Sequence, residues 1–179
     1  MADSVPPNPN FPPAVEFQPR LQLEKFKDHE VYLSNVEGLL GFTSQGHKLS
    51  LGAGYDYTLV GGLQWGLSAN FTDRKDEGGR ETYAELLLGP TLSYPFTDQA
   101  NSWFFRSGLG VVYDDFDFPA VAKKDRYLKF ASSIEIGKRF RIFQNLIYRP
   151  SVQLLTVYGQ DVRQRFAFNI RFISISGFF

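Results

Sequence analysis

From Val31 to the end of the chain, apolar and polar residues alternate with a period of two, the signature of half-buried β-strands. Leu49, Leu51, Ala53, Tyr55, Tyr57 and Leu59 share one face, with Lys48, Ser50, Gly52, Gly54, Asp56 and Thr58 on the other. After the tight turn Val60-Gly61-Gly62, Leu63, Trp65, Leu67, Ala69 and Phe71 alternate with Gln64, Gly66, Ser68, Asn70 and Thr72, which predicts a hairpin. The pattern repeats through Ala84–Tyr94, Trp103–Tyr113, Leu128–Phe140 and Leu146–Tyr158. With a first strand over Val31–Thr43 and a last one from Arg165, the count is eight. Each run approaches the roughly nine to eleven residues that a tilted strand needs to cross hydrocarbon. Pro90 and Pro150 fall inside predicted strands and remove ladder donors, so a gap or bulge is expected at each. Phe166, Phe168, Ile170 and Phe172 share one parity and Ile173, Ile175 and Phe179 the other, so a bulge is also expected near Phe172.

Alternation does not say which face is inside. A lipocalin-like barrel also has eight strands but turns its apolar face toward a ligand. Two features favour the membrane alternative. Aromatic residues cluster at the ends of the apolar stripes: Tyr57, Trp65, Tyr94, Trp103, Phe140 and Tyr148 toward one rim, Phe71, Tyr113, Tyr158 and Phe166 toward the other. Such girdles sit at headgroup depth. The polar face mixes Gly and Ser with single charges, which suits a narrow interior rather than a water-facing wall. The expected fold is therefore all-β, an eight-stranded antiparallel up-and-down transmembrane β-barrel over residues 31–179, preceded by an extended proline-rich arm over residues 1–30.

Composition adds to this picture at a few points. An aromatic share of 16% with 16 glycines fits a β architecture, and the absence of cysteine removes disulfide and thiolate chemistry. Nineteen basic and nineteen acidic residues balance, which leaves no broad nucleic-acid footprint. No apolar run reaches the length of a transmembrane helix. Met1 precedes Ala2-Asp3-Ser4, which reads as the start of a mature exported protein with its signal removed and an initiator methionine added.

Over Val31–Phe179 the chain resembles the small eight-stranded outer-membrane β-barrels of Gram-negative bacteria, the class that includes the membrane domain of outer-membrane protein A. Strand grammar, aromatic girdles and a terminal Phe179 carry the resemblance. It implies a place in the bacterial outer membrane with both termini in the periplasm. It also implies that the barrel assembly machinery reads the last strand and its Phe179. The segments Thr43–His47, Asp73–Arg80, Asp115–Asp125 and Gly159–Gln164 then face outward from the cell, and the turns at Val60, Phe96–Asn101 and Arg141–Gln144 face the periplasm.

A barrel of eight strands is filled by its own side chains. Parity turns Glu37, Asp56, Glu85, Arg106, Lys129, Glu135, Arg139, Arg149 and Arg171 inward, where charges must pair. Folding the strands back puts Arg106, Glu135 and Arg149 at one height and brings Glu37 to Arg171 near the closure. This is read as a structural network that plugs the lumen, with a gated ion or proton path as the competing reading.

Catalysis by a lipid A-modifying enzyme needs a histidine on a serine. His29 reads as a solvated rim residue in the charged segment Lys25–Glu30; His47 and Ser50 occupy opposite strand faces, with Ser44 as a cross-turn alternative. Asp114-Asp115-Phe116-Asp117 lacks the spacing of a calcium loop and reads as a solvated loop, so no metal or cofactor is expected. Arg74, Lys75, Arg80, Lys123, Lys124 and Arg126 suggest contact with lipopolysaccharide phosphates. The favoured function is a non-enzymatic barrel with a structural or interactive role, contacting outer-membrane lipid and lipopolysaccharide. Apolar residues of the arm, including Phe17 and Leu21, offer an envelope partner a docking surface. A small channel or transporter is the alternative.

Overall fold

The computed structural model describes residues 28–34, 46–96, 98–118, 123–159 and 166–179. Nearly all of them are strand: β1 (His29–Ser34), β2 (His47–Val60), β3 (Leu63–Asp76), β4 (Gly79–Tyr94), β5 (Trp103–Phe118), β6 (Lys123–Lys138), β7 (Phe140–Arg141), β8 (Leu146–Tyr148), β9 (Ser151–Val157), β10 (Phe166–Arg171) and β11 (Ser174–Phe178). No helix among these residues is long and apolar enough to cross a membrane.

Eleven segments form one antiparallel sheet, and their pairing reduces them to eight staves. β6 and β7 are one stave broken at Arg139, β8 and β9 another broken at Arg149-Pro150, and β10 and β11 a third broken at Phe172-Ile173. β9 pairs with β10 and β8 with β11, so these two broken staves lie side by side along their length. β1 pairs with β2 on one side and with β11 on the other, which joins the first stave to the last and closes the barrel. The His29 amide donates to the Phe179 carbonyl at 3.3 Å and the Phe179 amide to the His29 carbonyl at 2.9 Å. The expected count of eight thus holds for whole staves, and the extra segments mark where the wall bends. β1 begins at His29, two residues before the expected Val31. The proline-rich arm up to residue 27 lies outside the described residues, as does residue 37.

Local chemistry explains the joints. Gly61 and Gly62 take φ of +34° and +85°, the left-handed pair of a two-residue hairpin turn, with Val60 opposite Leu63. Pairing of β4 with β5 stops between Leu88↔Leu109 and Thr91↔Arg106 without a change of register, because Pro90 brings no N–H to the ladder. At the break in the last stave, Phe172 and Ile173 both face out, which is the phase change expected there. Asp114–Asp117, read from sequence as a loop, lie within β5 instead. Asp114 turns inward to accept from the Tyr127 hydroxyl at 2.8 Å, while Asp115 turns outward to Arg126 at 2.6 Å, so the two carboxylates part to opposite faces.

Burial settles the orientation of the wall. Leu51, Leu67, Trp103, Phe130 and Ile136 are exposed, whereas Arg139, Arg149, Arg171, Glu30 and Gln64 are almost fully buried. A water-facing barrel with an oily pocket has the opposite arrangement. The apolar face is the outside and faces lipid. Inward glycines make room for the large interior groups: a Cβ on Gly54 comes within 2.0 Å of the Tyr32 ring, and one on Gly137 within 2.4 Å of the Phe104 ring. Gly54→Val is expected to destabilise the barrel by about 1–3 kcal/mol through overpacking, measured as a lower urea midpoint in folded detergent samples. An unchanged midpoint contradicts this packing.

Candidate functional site

The interior of the barrel is organised around Glu30, the second residue of β1, whose side chain has no solvent exposure. Arg139, at the break between β6 and β7, grips it with two bonds, Nη2 to Oε2 at 2.6 Å and Nε to Oε1 at 3.2 Å. The remaining donors of that guanidinium reach Ser93 at 2.7 Å, Ser102 at 3.0 Å and the Gln64 carbonyl at 2.9 Å. Gln64 donates to Glu30 in turn, at 3.2 Å. Arg149 lies 3.5 Å from Glu30 and 3.8 Å from Asp56, and Arg106 lies 3.0 Å from Asp56 and donates to the Tyr32 hydroxyl.

A second cluster lies beside the first. Arg171 spans Glu135 at 3.0 Å and Glu85 at 3.3 Å, and donates to the Gln153 carbonyl at 2.8 Å. Ser151 donates to Glu135 at 2.6 Å, Tyr83 to Glu85 at 2.8 Å, and Asn70 also to Glu85. In these two clusters four buried arginines face four buried carboxylates, so the two clusters together balance in charge. Aromatic faces interleave the cations: the Arg149 guanidinium carbon sits 4.0 Å from the Tyr32 centroid and 4.2 Å from that of Phe104, and Arg139 stands 4.9 Å from Phe104 and 5.7 Å from Phe178.

The structure brings six of the expected lumen residues together, namely Glu85, Arg106, Glu135, Arg139, Arg149 and Arg171, with Asp56. Register alone does not give the side-chain partners. Arg106 stands opposite Glu135 in register yet bonds Asp56 and Tyr32, because its guanidinium reaches across the lumen rather than along the wall. Arg171 bonds Glu85 and Glu135, while the expected Glu37 lies outside the described residues. Lys129 is half-buried and faces the same interior.

Glu30 is the residue the sequence reading missed. By composition it belongs with the charged segment that ends the arm, yet Val31 and Leu33 facing outward imply that Glu30 and Tyr32 face inward.

The expected interfacial aromatics all lie on the outward face. Tyr57, Trp65, Phe71, Tyr94, Trp103, Tyr158 and Phe166 are exposed, Tyr113 and Tyr148 half-buried against neighbours, and Phe179 is 69% exposed. Tyr57 stands opposite Trp65, Tyr94 opposite Trp103, and Tyr148 stacks on Phe140, so this end of the wall carries aromatic pairs on neighbouring strands. His29 belongs with these aromatics rather than to a solvated rim: its Nδ1 lies 2.6 Å from the Tyr55 hydroxyl and its ring stacks on Tyr55.

Above Phe71, past the apolar belt, His47 Nε2 lies 2.9 Å from Asp73, which also accepts from Arg80 at 2.9 Å and Thr82 at 2.9 Å. Ser50 bonds Thr72 instead, on the opposite face, so His47 and Ser50 do not meet; residue 44 lies outside the described residues. Arg74 likewise pairs with Asp76, at 3.1 Å.

Two expectations follow. Glu30→Gln leaves Arg139 and Arg149 without their shared counter-charge and is expected to cost roughly 3–5 kcal/mol of unfolding free energy, as for other broken buried pairs. Urea titration beside the exposed-pair variant Asp76→Asn measures it, and equal effects contradict the role of burial. The bonds from Arg80, offset in part by burial, lower the Asp73 carboxyl from its usual 3.8 to about 2. The stability it adds is fully present above about pH 4 and lost as pH falls toward 2. Carboxyl NMR titration of the folded protein is expected to show that midpoint, and Arg80→Gln to raise it.

No family model matches the chain, and no curated protein sequence does either. Solved structures do match in shape. Ail, the attachment invasion locus protein of Yersinia pestis, superimposes with a TM-score of 0.54 at 13% identity, covering 86% of this chain and 98% of Ail. Neisserial surface protein A gives 0.53 at 10% identity, covering 85% and 95%. The N-terminal β-barrel domain of Pseudomonas aeruginosa OprF gives 0.52 at 12% identity, covering 86% and 98%. With its closed ring of eight staves, its lipid-facing exterior and its charged interior, this chain has the fold of the small outer-membrane β-barrels.

Proposed function

We propose that the protein is a non-enzymatic barrel of the bacterial outer membrane, its lumen closed by its own side chains, with a structural or surface-interaction role in the envelope. The observation that carries this reading is the interlocked cluster around Glu30. Bidentate Arg139, with Gln64, Ser93 and Ser102 on its remaining donors, occupies the interior, and Tyr32, Phe104 and Phe178 fill the space between the cations. An ion crossing this layer has to displace charge-assisted bonds that water does not replace. The partners of this reading are outer-membrane lipid along the apolar belt and lipopolysaccharide at the rim carrying Arg74, Arg80 and Arg126. One structure of Ail holds the heparin analogue sucrose octasulfate, a polyanion. In this chain each of those three arginines already has a carboxylate, so a lipopolysaccharide phosphate there competes with Asp76, Asp73 or Asp115. The part of the arm that precedes the wall, residues 1–27, is the proposed contact for an envelope protein, and Phe179 for the assembly machinery.

Single-channel recording in planar bilayers tests the closed lumen. The wild-type protein is expected to give no stable conductance steps. Replacing Glu30 and Arg139 together by Ala removes the centre of the plug without leaving an unpaired charge from that pair, and is expected to give small resolved steps. Stable steps from the wild type overturn the reading and favour the channel alternative.

A further inference from the structure

The lipid-facing wall is not evenly covered. Reading outward-facing positions across four adjacent strands, Trp65 stands opposite Pro90 and Ser107 opposite Ile134, with the interrupted β4·β5 pairing between Pro90 and Ser107. Two large side chains flank two small ones. The result is a notch of about 470 Å³ bounded by Trp65, Leu88, Leu109 and Ile134, with Gly89, Pro90, Ser107 and Gly108 as its floor. That volume falls within the range of about 300–1,000 Å³ typical of small-molecule sites, and its lining is mainly apolar.

The notch lies within the apolar belt, nearer the band of Tyr94, Trp103 and Phe140 than the opposite rim. Directly below it on β6 come Ile136 and then Lys138, both on the outward face. The Lys138 ammonium lies 5.4 Å from the Trp103 centroid and 5.9 Å from that of Phe140, and donates to the Asn101 carbonyl at 2.8 Å. That bond uses one of its three donors. Four residues of strand separate Ile134 from Lys138, about 13 Å at the usual rise. Barrel strands tilt by about 35–45°, so the recess lies roughly 10 Å deeper than the cation, and the two match the two ends of one amphiphile.

The geometry points to a built lipid site: an anionic phospholipid of the leaflet at the short-turn end sets its phosphate against Lys138 and lays one acyl chain over Ile136 and Phe105 into the notch at Pro90 and Ser107. The occupant is a phospholipid rather than lipopolysaccharide because the cation lies at the end of the barrel where both termini of the wall meet, opposite the rim of Asp73, Arg80 and Arg126.

Native mass spectrometry of the detergent-folded protein titrated with phosphatidylglycerol or phosphatidylcholine of identical chains tests the proposal. One phosphatidylglycerol is expected to stay bound to the wild type at collision energies that strip the rest. Ser107→Leu fills the recess and is expected to abolish that retention. Lys138→Gln is expected to weaken it about fivefold, the contribution of one lysine near an anionic surface. Equal retention by all three proteins overturns the proposal, as does a stronger retention of lipopolysaccharide, or a dimer of this chain that Ser107→Leu dissolves. A second measurement needs no change in the notch. In Trp103→Phe protein, Trp65 is the one remaining tryptophan, and brominated phosphatidylglycerol is expected to quench it more than brominated phosphatidylcholine at equal mole fraction. Equal quenching by the two lipids overturns the site.

Discussion

A carboxylate stripped of water has to be neutralised by a partner that is equally stripped, and in this barrel the partner of Glu30 lies 109 residues away at Arg139. The two groups stand on staves that are far apart in the chain, β1 and the β6–β7 pair, and they meet only when the wall has curled through β2 to β6 and closed through β11. Burial of the ion pair and closure of the barrel are therefore one condition. An open sheet leaves Glu30 in water and β1 and β11 as bare edges, which the hydrocarbon of a bilayer does not tolerate.

The same constraint accounts for the composition of the interior. Each guanidinium has five donors in a fixed plane, and a single carboxylate satisfies two of them. Arg139 completes its set with Ser93, Ser102 and Gln64, and Arg171 extends from Glu85 and Glu135 to Gln153. Rings rather than donors lie against the faces of the Glu30 cluster, with Arg149 held between Tyr32 and Phe104 and Arg139 beside Phe104 and Phe178. Small residues follow from that stacking: Gly54 lies under Tyr32 and Gly137 under Phe104, where any Cβ collides with the ring. Glycine, serine, arginine and aromatic residues on one parity of the strands are thus parts of a single packing solution.

How much of this was legible in the sequence depended on how local the cause was. Period-two alternation acts within a strand, so the staves, the girdle aromatics and the inward parity of Arg139, Arg149 and Arg171 could all be read directly. The Gly61-Gly62 turn and the phase change at Phe172-Ile173 were equally local. Partner choice was not. Arg106 faces Glu135 in register but bonds Asp56, because long side chains in a lumen cross to the far wall and strand tilt decides which residue waits there. Glu30 is obscured for a different reason: its neighbours Asp28 and His29 are polar, so local composition points to a solvated segment while the parity that Val31 and Leu33 impose points inward. The stretch Asp114–Asp117 failed likewise, since acidic density suggested a loop where the strand simply continues above the apolar belt.

The irregular places in the wall fall where the interior makes its largest demands. Arg139 occupies the break between β6 and β7, and Arg149 the break between β8 and β9 beside Pro150; both are among the most deeply buried side chains described. Their backbones stay satisfied through the bend, the Arg139 amide donating to the Ser102 carbonyl at 2.8 Å and the Arg149 amide to the Ser174 carbonyl at 2.9 Å. Register runs unbroken across both arginines, from Gly137↔Ser151 to Phe140↔Tyr148, and moves by one residue only against the last stave, from Arg171↔Ser151 to Ile175↔Tyr148, at the bulged Phe172-Ile173. A bulge re-aims a side chain at the expense of ladder pairing. Here that disruption is confined to Phe172-Ile173, where two successive side chains face out, while Arg139 and Arg149 keep the inward parity of their strands, from which Arg139 meets Glu30 with two bonds.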